Sequence, residues 1–231
     1  MTAATAEGHH APPPGAAAGW QEAWEFEAWW DEGTSGLVVH VSRLPLQRRA
    51  WYWMGLVRAG EPLVTLADLA VPLPRSTLEL RTAGLWAEHV CEEPMDHWTV
   101  ANEAHAVALD DPELVHTRPF GDVVAVALDL GFEDRPEDAV APGPGLDGLE
   151  GYQRACDVYG EVLLEDGRIA LDGVEGRRRH WWGDRRWGAR RWGAVAAGRR
   201  APVALEGEAW RSRLELVLGP DGWSEANTPV P

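Results

Sequence analysis

Apolar and polar residues alternate along much of the chain, and this alternation constrains the fold more than any other feature. Between Trp20 and Trp30, for example, Trp24 and Phe26 alternate with Glu25 and Glu27. A period of two residues is typical of a β-strand that buries one of its faces. No segment keeps a helical period beyond a turn or two. The sequence therefore predicts an all-β fold with few or no helices.

Further strands are predicted wherever an apolar run lies between glycine or proline residues. The run Arg49–Arg58 has apolar side chains on both faces, which indicates a central strand. The other predicted strands are Leu37–Val41, Leu63–Leu69, Leu78–Glu92, Trp98–Leu109, Asp122–Leu130, Tyr152–Leu164, Arg168–Val174, Pro202–Glu206 and Ala209–Leu218.

Changes in composition predict how the chain is divided. Residues 1–19 contain three consecutive prolines and an alanine–glycine run, which predicts a disordered tail. His9 and His10 in this tail are interpreted as too isolated to bind a metal. Residues 133–150 are acidic and rich in proline and glycine, and they are predicted to be a linker. The predicted β domains are residues 20–132 and residues 151–231.

The chain is acidic overall but contains one basic segment. Its formal net charge is −16, and so acidic a surface repels nucleic acid and anionic membranes. No apolar run reaches the roughly 20 residues that span a bilayer, so membrane insertion is not expected. Residues 177–200 nevertheless hold nine arginines against Asp184 alone. This segment is expected to pair with acidic residues elsewhere in the chain or to face an anionic ligand.

Motifs for a Walker A phosphate-binding loop and for a serine nucleophile elbow are not found in the sequence. GxxxxGK[ST] and GxSxG are absent, and no serine has an obvious histidine partner. The histidines form neither HxH nor HExxH, so we expect no cofactor and no metal. Cys91 and Cys156 lack CxxC spacing, which together with the lack of a secretory signal predicts reduced thiols in a cytoplasmic protein.

The stretch Arg177–Gly193 concentrates seven arginines, four tryptophans and one histidine. Arginine stacks on tryptophan and binds carboxylates, so one interpretation is a buried clasp between two sheets. A second interpretation is catalytic, because His180 lies near Asp184 and could act as a general acid or base. A hydrogen-bonded structural histidine is the alternative. Binding of RNA or single-stranded DNA is a third interpretation, against which the overall acidity argues.

Several short motifs are shared with a known family. In the first half they are Trp24-Glu25-Phe26, Arg49-Ala50-Trp51-Tyr52-Trp53, and Glu93-Pro94 followed by Trp98; in the second half they are Tyr152-Gln153 and the run from Gly176 to Trp187. With these motifs, the chain from about Trp20 to Trp223 resembles hydroxyneurosporene synthase-like proteins. The residues that match the family's arginine–histidine–tryptophan–glycine signature are Arg178, His180, Trp182, Gly183, Arg185 and Trp187. Aspartate, serine and aspartate are common in the family where this chain has Arg179, Trp181 and Arg186.

This resemblance implies two packed lipocalin-like antiparallel β-sheets or half-barrels, with an apolar ligand site in or between them. Relatives of known activity include carotenoid 1,2-hydratases. The implied ligand is a bulky apolar small molecule of isoprenoid or polyketide type. The implied reaction is a cofactor-free hydration, isomerisation or cyclisation. The alternative is a non-catalytic carrier for the same kind of ligand.

Candidate site residues follow from this resemblance and from local context. Either His180 or a carboxylic acid would supply a proton, and burial among aromatic side chains raises the pKa of a carboxyl group towards neutrality. Tryptophan faces would stabilise a developing cation. The candidate catalytic residues are His180, Glu25, Glu93 and Asp184. The candidate ligand-binding residues are Trp24, Tyr52, Trp53, Trp98, Tyr152, Trp182, Trp187, Arg178 and Arg185.

Overall fold

The computed structural model describes residues 7–112, 114, 120–135, 149–184, 199–203 and 212–229. Within this part of the chain there are thirteen strands and two 3₁₀ turns, Asp31–Gly33 and Pro45–Gln47. The prediction of an all-β fold is confirmed. The strands are β1 (Trp20–Trp30), β2 (Ser35–Leu44), β3 (Arg49–Val57), β4 (Leu63–Pro72), β5 (Leu78–Thr82), β6 (Leu85–Glu93), β7 (His97–Leu109), β8 (Asp122–Asp134), β9 (Leu149–Leu164), β10 (Gly167–Asp184), β11 (Arg199–Val203), β12 (Ser212–Gly219) and β13 (Gly222–Pro229).

Ten of these strands form one antiparallel sheet that curls into a ring. Their order is β4-β3-β2-β1-β10-β9-β8-β7-β6-β5, and β4 also pairs with β7. That second pairing joins the start of β4, at Leu63, to the end of β7, at Leu109. Eight strands therefore surround a common interior in the manner of a small barrel. Strands β6 and β5 extend the sheet from the first half of β7.

The pairing of β1 with β10 connects the early and late parts of the chain. In this register Trp24 lies opposite His180 and Glu25 lies opposite Arg179. Strands from residues 20–132 and from residues 151–231 thus share one sheet, although β11–β13 form a separate three-stranded sheet. The ends of the predicted linker belong to β8 and β9, and residues 136–148 lie outside the described residues.

Strand alternation divides the apolar residues between two cores. Trp24 and Phe26 of β1 belong to the core inside the barrel. The opposite face of the sheet is buried too, because Val38 and Trp53 form a second core with Trp223 of the three-stranded sheet. Burial of apolar surface stabilises both cores, by about 25 cal/mol for each Å² that is removed from water.

The main differences between the predicted and the observed strands concern β5, β6, β10 and β13. The segment predicted as one strand, Leu78–Glu92, is a hairpin with a turn at Ala83 and Gly84. The strand predicted to end at Val174 continues to Asp184 as β10, because its polar side chains find partners on β1 and β9. Strand β13 was not predicted. No helix in the described ranges is long and apolar enough to cross a lipid bilayer.

Candidate functional site

A cavity of about 300 Å³ lies between residues 7–9 and the hairpin of β5 and β6. Trp24 and Trp98 contribute aromatic surface to its wall, and Leu78 and Val90 contribute aliphatic surface. Both tryptophans are buried and belong to the core inside the barrel. Two of the predicted ligand-binding residues therefore line one cavity.

His89 is a buried polar group in the wall of this cavity. Its residue is 3% exposed, and neither ring nitrogen has a hydrogen-bond partner among the described residues. Burial lowers the pKa of His89 to about 3, so the imidazole is neutral at pH 7. A neutral imidazole offers one donor and one acceptor. Sequence reasoning missed His89, although it follows Leu85 and Ala87 on the apolar face of β6.

A buried arginine, Arg178, lies beside the cavity and is 2% exposed. Its Nε and Nη2 each donate to Asp134 at 2.6 Å, and Nη2 also contacts a carboxylate oxygen of Glu7 at 2.8 Å. Nη1 donates to the hydroxyl of Tyr152 at 3.2 Å, and that hydroxyl in turn donates to Glu7. The backbone N–H of Met95 donates to the same Glu7 carboxylate at 3.0 Å.

The electrostatics of this group keep Arg178 charged and Tyr152 neutral. Burial on its own would lower the pKa of Arg178, but its bonds to Asp134 and the charge of Glu7 raise that pKa above its ordinary value. Burial raises the pKa of the Tyr152 hydroxyl. Arg154 adds a second guanidinium, 2.8 Å from Asp134. Two arginines are therefore balanced by two carboxylates inside the barrel, and one of these carboxylates belongs to Glu7.

Glu22, on the interior face of β1, holds residues 9–10 against the barrel. Its carboxylate accepts the backbone N–H of His10 at 2.8 Å and lies 3.0 Å from that residue's Nδ1. Nε2 of His180 lies 3.1 Å away, and Arg43 donates to the other oxygen at 3.0 Å. Burial acts to raise the pKa of Glu22, but hydrogen bonds from His180 and His9 hold it well below its usual range. His9 and His10, which were interpreted as too isolated to bind a metal, therefore both contact a buried carboxylate of the barrel.

Aromatic stacking strengthens this attachment. The ring of His10 stacks on Trp182 with centroids 3.5 Å apart, and His180 stacks on Trp24 at 4.4 Å. Burial lowers the pKa of His180, so this candidate catalytic histidine is neutral and directed at a carboxylate rather than at the cavity. Of the tail predicted to be disordered, residues 7–10 thus contact the barrel through polar and aromatic side chains.

His10, Glu22 and His180 could in principle hold a metal ion, because their ligand atoms lie within 4.8 Å of one another. Two observations oppose this. The guanidinium of Arg43 already occupies one carboxylate oxygen, and it would repel a cation. The outer ring nitrogens of both histidines are buried without hydrogen-bond partners in the described ranges, whereas ligating histidines normally use that nitrogen for a second bond. The geometry favours an anchor for the tail.

A second polar cluster lies on the outer face of the same strands. The hydroxyl of Ser42 is 2.6 Å from Nε2 of His40, and Nδ1 of His40 is 3.0 Å from Glu25. Trp53 stacks on the His40 ring at 3.5 Å. This order of serine, histidine and carboxylate is that of a hydrolase triad, and the expectation that no serine has a histidine partner is wrong. However, Ser42 and His40 are 0% exposed, so no substrate reaches the serine in this structure.

Arginines of β10 connect this outer face to the three-stranded sheet. Arg177 donates to Glu27 at 2.6 Å through Nε and to the backbone oxygen of Trp223 through Nη2. Burial raises the pKa of Glu27 to about 7, although Arg177 and Arg179 act to lower it. Arg177 therefore performs the bridging that the clasp interpretation assigned to this basic stretch. The rest of the stretch, residues 185–193, lies outside the described residues.

The remaining predicted site residues are not brought to the cavity. Glu93 and Asp184 are exposed at the ends of their strands. Tyr52 is buried, and its hydroxyl accepts a hydrogen bond from Asn102 at 2.5 Å. Arg185 and Trp187 lie outside the described residues. The structure thus places Glu25 and Trp53 on the outer face of the barrel. Inside the barrel it gathers Trp24, Tyr52, Trp98, Tyr152, Arg178, Trp182 and His180.

Comparisons with known proteins give a family but no activity. The model of a domain of unknown function (DUF7064) matches residues 3–209. That range contains residues 7–10, all the strands of the barrel and β11. No curated protein matches the chain. The chemistry of the site therefore has to be interpreted from its own geometry.

Proposed function

The chain belongs to the DUF7064 family of domains of unknown function, and we propose that it binds a compact apolar molecule with one hydrogen-bonding group. The observation that carries this proposal is the imidazole of His89, which lines a cavity walled by Trp24 and Trp98 and whose ring nitrogens have no hydrogen-bond partner among the described residues. A buried polar group without a partner costs about 1–3 kcal/mol. A ligand hydroxyl or carbonyl would recover that cost while its apolar body packs against the two indoles.

The size of the cavity narrows the ligand class. Its volume of about 300 Å³ lies at the lower end of the roughly 300–1,000 Å³ of small-molecule pockets. A short isoprenoid or a small polyketide fits this volume better than the bulky ligand that the resemblance to hydroxyneurosporene synthase-like proteins implies. The isoprenoid class itself remains part of the proposal.

A larger cavity of about 580 Å³ lies at the turn end of the hairpin of β5 and β6. Arg81, Glu103 and Glu165 line it and are exposed to solvent. None of the described residues that line it has a buried polar atom without a partner. The smaller cavity therefore has the stronger requirement for a ligand.

A non-catalytic carrier is the version of this function that the geometry supports better. His180, the candidate proton source, is neutral and bonded to Glu22. With a pKa of about 3, His89 is a weak base at pH 7. A cofactor-free hydration, isomerisation or cyclisation is the second candidate, favoured by the presence of Glu7 in the same cavity.

Two further proposals concern the setting of the protein. Cys91 and Cys156 are free thiols, which supports a cytoplasmic location. The net charge of −16 supports a small-molecule partner rather than a nucleic acid, because phosphate backbones are repelled by acidic surfaces.

The test is a comparison of two ten-carbon isoprenoids, the alcohol geraniol and the hydrocarbon myrcene. Quenching of tryptophan fluorescence reports binding, and native mass spectrometry confirms that the ligand is retained. In the variant His89→Phe we expect geraniol to bind roughly 2- to 10-fold more weakly and myrcene to be unaffected, because one hydrogen bond contributes about 0.5–1.5 kcal/mol. His105→Phe, an exposed histidine of β7, is the matched control.

Two outcomes contradict the proposal: no binding of either compound, or an equal loss of both in His89→Phe. Analysis of the geraniol extracted after incubation then separates the two versions of the function. Recovery of unchanged geraniol indicates a carrier, whereas a hydrated or cyclised product indicates an enzyme.

A further inference from the structure

We propose that the carboxylate of Glu7 occupies the binding site for the carboxylate of an apolar acid. In this view the segment formed by residues 7–10 closes the barrel when no ligand is present, and the ligand displaces Glu7. The inference rests on the proposed function, because the apolar part of such an acid would lie in the cavity between Trp24 and Trp98.

Three donors converge on the Glu7 carboxylate in the manner of a built anion site. They are the guanidinium of Arg178 at 2.8 Å, the backbone N–H of Met95 at 3.0 Å and the hydroxyl of Tyr152. Met95 has φ of 63°, a left-handed conformation that is uncommon outside glycine. Backbone conformations of this kind persist where the surrounding structure holds them, often at ligand sites. The donors belong to β9, β10 and the turn between β6 and β7, so the site is formed by the barrel itself.

The charges of the barrel also require an anion at this position. Without Glu7, the interior group contains the guanidiniums of Arg178 and Arg154 and the single carboxylate of Asp134. That set carries one uncompensated positive charge, and burying an unpaired charge is costly. Glu7 neutralises it from the tail. A ligand carboxylate would do the same with the same hydrogen bonds.

The anion site and the apolar cavity are continuous. Trp98 lines the cavity. The guanidinium carbon of Arg178 lies over its ring, 6.0 Å from the ring centroid. Glu7 likewise lines the cavity while it contacts Arg178. A carboxylate at this position would therefore have its apolar tail directed along the tryptophan walls. The class of ligand is a monocarboxylic acid with a compact hydrocarbon body.

Glu7 belongs to the same chain as the anion site, so its carboxylate competes with a ligand carboxylate for that site within one molecule. A tethered group acts at an effective concentration in the millimolar range for a short flexible tether, so a weakly binding acid would not displace it. The ligand gains an advantage because its hydrocarbon body would pack against Trp24 and Trp98, a contact that the carboxylate of Glu7 does not supply. Residues 9 and 10 are attached separately through Glu22 and Trp182, so Glu7 can leave while the rest of the segment stays in place.

The experiment measures dissociation constants of geranate and geraniol, which share one hydrocarbon skeleton, for the full-length chain at pH 7.5. If Glu7 occupies the site most of the time, Glu7→Ala should lower the dissociation constant of geranate by at least about tenfold. The reason is that the apparent affinity is proportional to the fraction of the protein whose site is free to bind. Geraniol should change by less than about threefold, because its hydroxyl does not replace a carboxylate. Glu88→Ala is the matched control: it removes an exposed carboxylate at the rim of the same cavity.

A second variant keeps the proposal testable if Glu7→Ala is poorly folded. Glu7→Gln removes the charge but retains a hydrogen-bonding group, and it should also favour geranate over geraniol. Adding Tyr152→Phe to either variant should weaken geranate by about tenfold, the effect of one hydrogen bond to a charged group. The dissociation constant of geraniol should stay unchanged when Tyr152→Phe is added.

The outcomes separate this inference from the function on which it rests. If geraniol binds but the Glu7 variants gain no preference for geranate, the anion site is refuted and the proposed function stands. If geranate tightens selectively while geraniol fails to bind any variant, the anion site is supported and the binding of neutral apolar molecules is refuted. An equal gain for Glu88→Ala also refutes the site, because it shows a general effect of negative charge.

Discussion

Replacing His89 by phenylalanine should remove a defined part of the acid sensitivity of the fold. The imidazole is buried beside Phe26 and Tyr52 and has no hydrogen-bond partner in the described part of the chain. Burial lowers its pKa from 6.5 to about 3. One pKa unit corresponds to about 1.4 kcal/mol, so protonation of His89 costs the folded chain about 5 kcal/mol relative to the unfolded chain. Tyr52 does not offset this cost, because burial raises the pKa of its hydroxyl and keeps it neutral.

The sign of the effect follows from proton uptake on unfolding. Between pH 6.5 and pH 3 the unfolded chain binds a proton at His89 that the folded chain does not bind, so the free energy of unfolding decreases as the pH falls. From pH 7.5 to pH 5.0 this single group should remove about 2 kcal/mol. Glu7 and Glu88, which line the same cavity, are carboxylates whose negative charge would reduce this amount, whereas a positive charge on His9 would increase it.

The assay is urea denaturation of the wild type and of His89→Phe at pH 7.5 and pH 5.0. The wild type should lose about 2 kcal/mol more than the variant over this range. His105→Phe, whose histidine is exposed to water, should lose as much as the wild type. Parallel losses in the wild type and His89→Phe would refute the reasoning, because they would show that the buried imidazole finds a partner or solvent when it is protonated.

Two further predictions concern the outer face of the barrel. Ser42→Ala should lower the free energy of unfolding, measured by urea denaturation, by about 1–3 kcal/mol, because it removes the hydroxyl that bonds to a buried nitrogen of His40. Labelling of native Ser42 by a fluorophosphonate would contradict its structural role. Arg177→Gln should cost about 3–5 kcal/mol because it leaves Glu27 without a main buried partner, whereas Arg168→Gln, on the exposed part of the same strand, should cost less than about 1 kcal/mol. Equal costs in the two arginine variants would contradict the clasp.

Local alternation in the sequence was sufficient to predict which side chains share a face. The boundaries predicted for the first strand, Trp20 and Trp30, are those of β1, and Trp24 and Trp98 both point to the interior as their positions on apolar faces suggest. The same reasoning would have found His89, had its place in the series with Leu85 and Ala87 been used. The two-residue alternation of a strand, and the face on which each of its residues lies, depend only on neighbouring residues. A single sequence is therefore sufficient to predict them.

Pairings between distant segments could not be predicted in this way. Glu22 and His180 are 158 residues apart in the chain, and they meet only because β1 pairs with β10 in one of many possible registers. The tail shows the same limit. Its prolines and glycines suggested disorder, yet Glu7 and His10 find partners on the barrel that no property of residues 1–19 reveals. Composition describes what a segment does alone, whereas these contacts depend on a surface formed elsewhere.

The basic run on β10 serves two sites because strand geometry separates its alternate residues. Arg177 and Arg179 face the outer cluster, where both contact Glu27, and Arg177 also donates to the backbone of Trp223 in the three-stranded sheet. Arg178 and His180 face the interior, where Arg178 contacts Glu7 and the ring of His180 packs against that of His10. The sheet lies between the two sets, so substitutions at odd positions should change stability alone, while those at even positions should also change ligand binding. A run that appears as one motif in the sequence therefore divides into a structural half and a binding half.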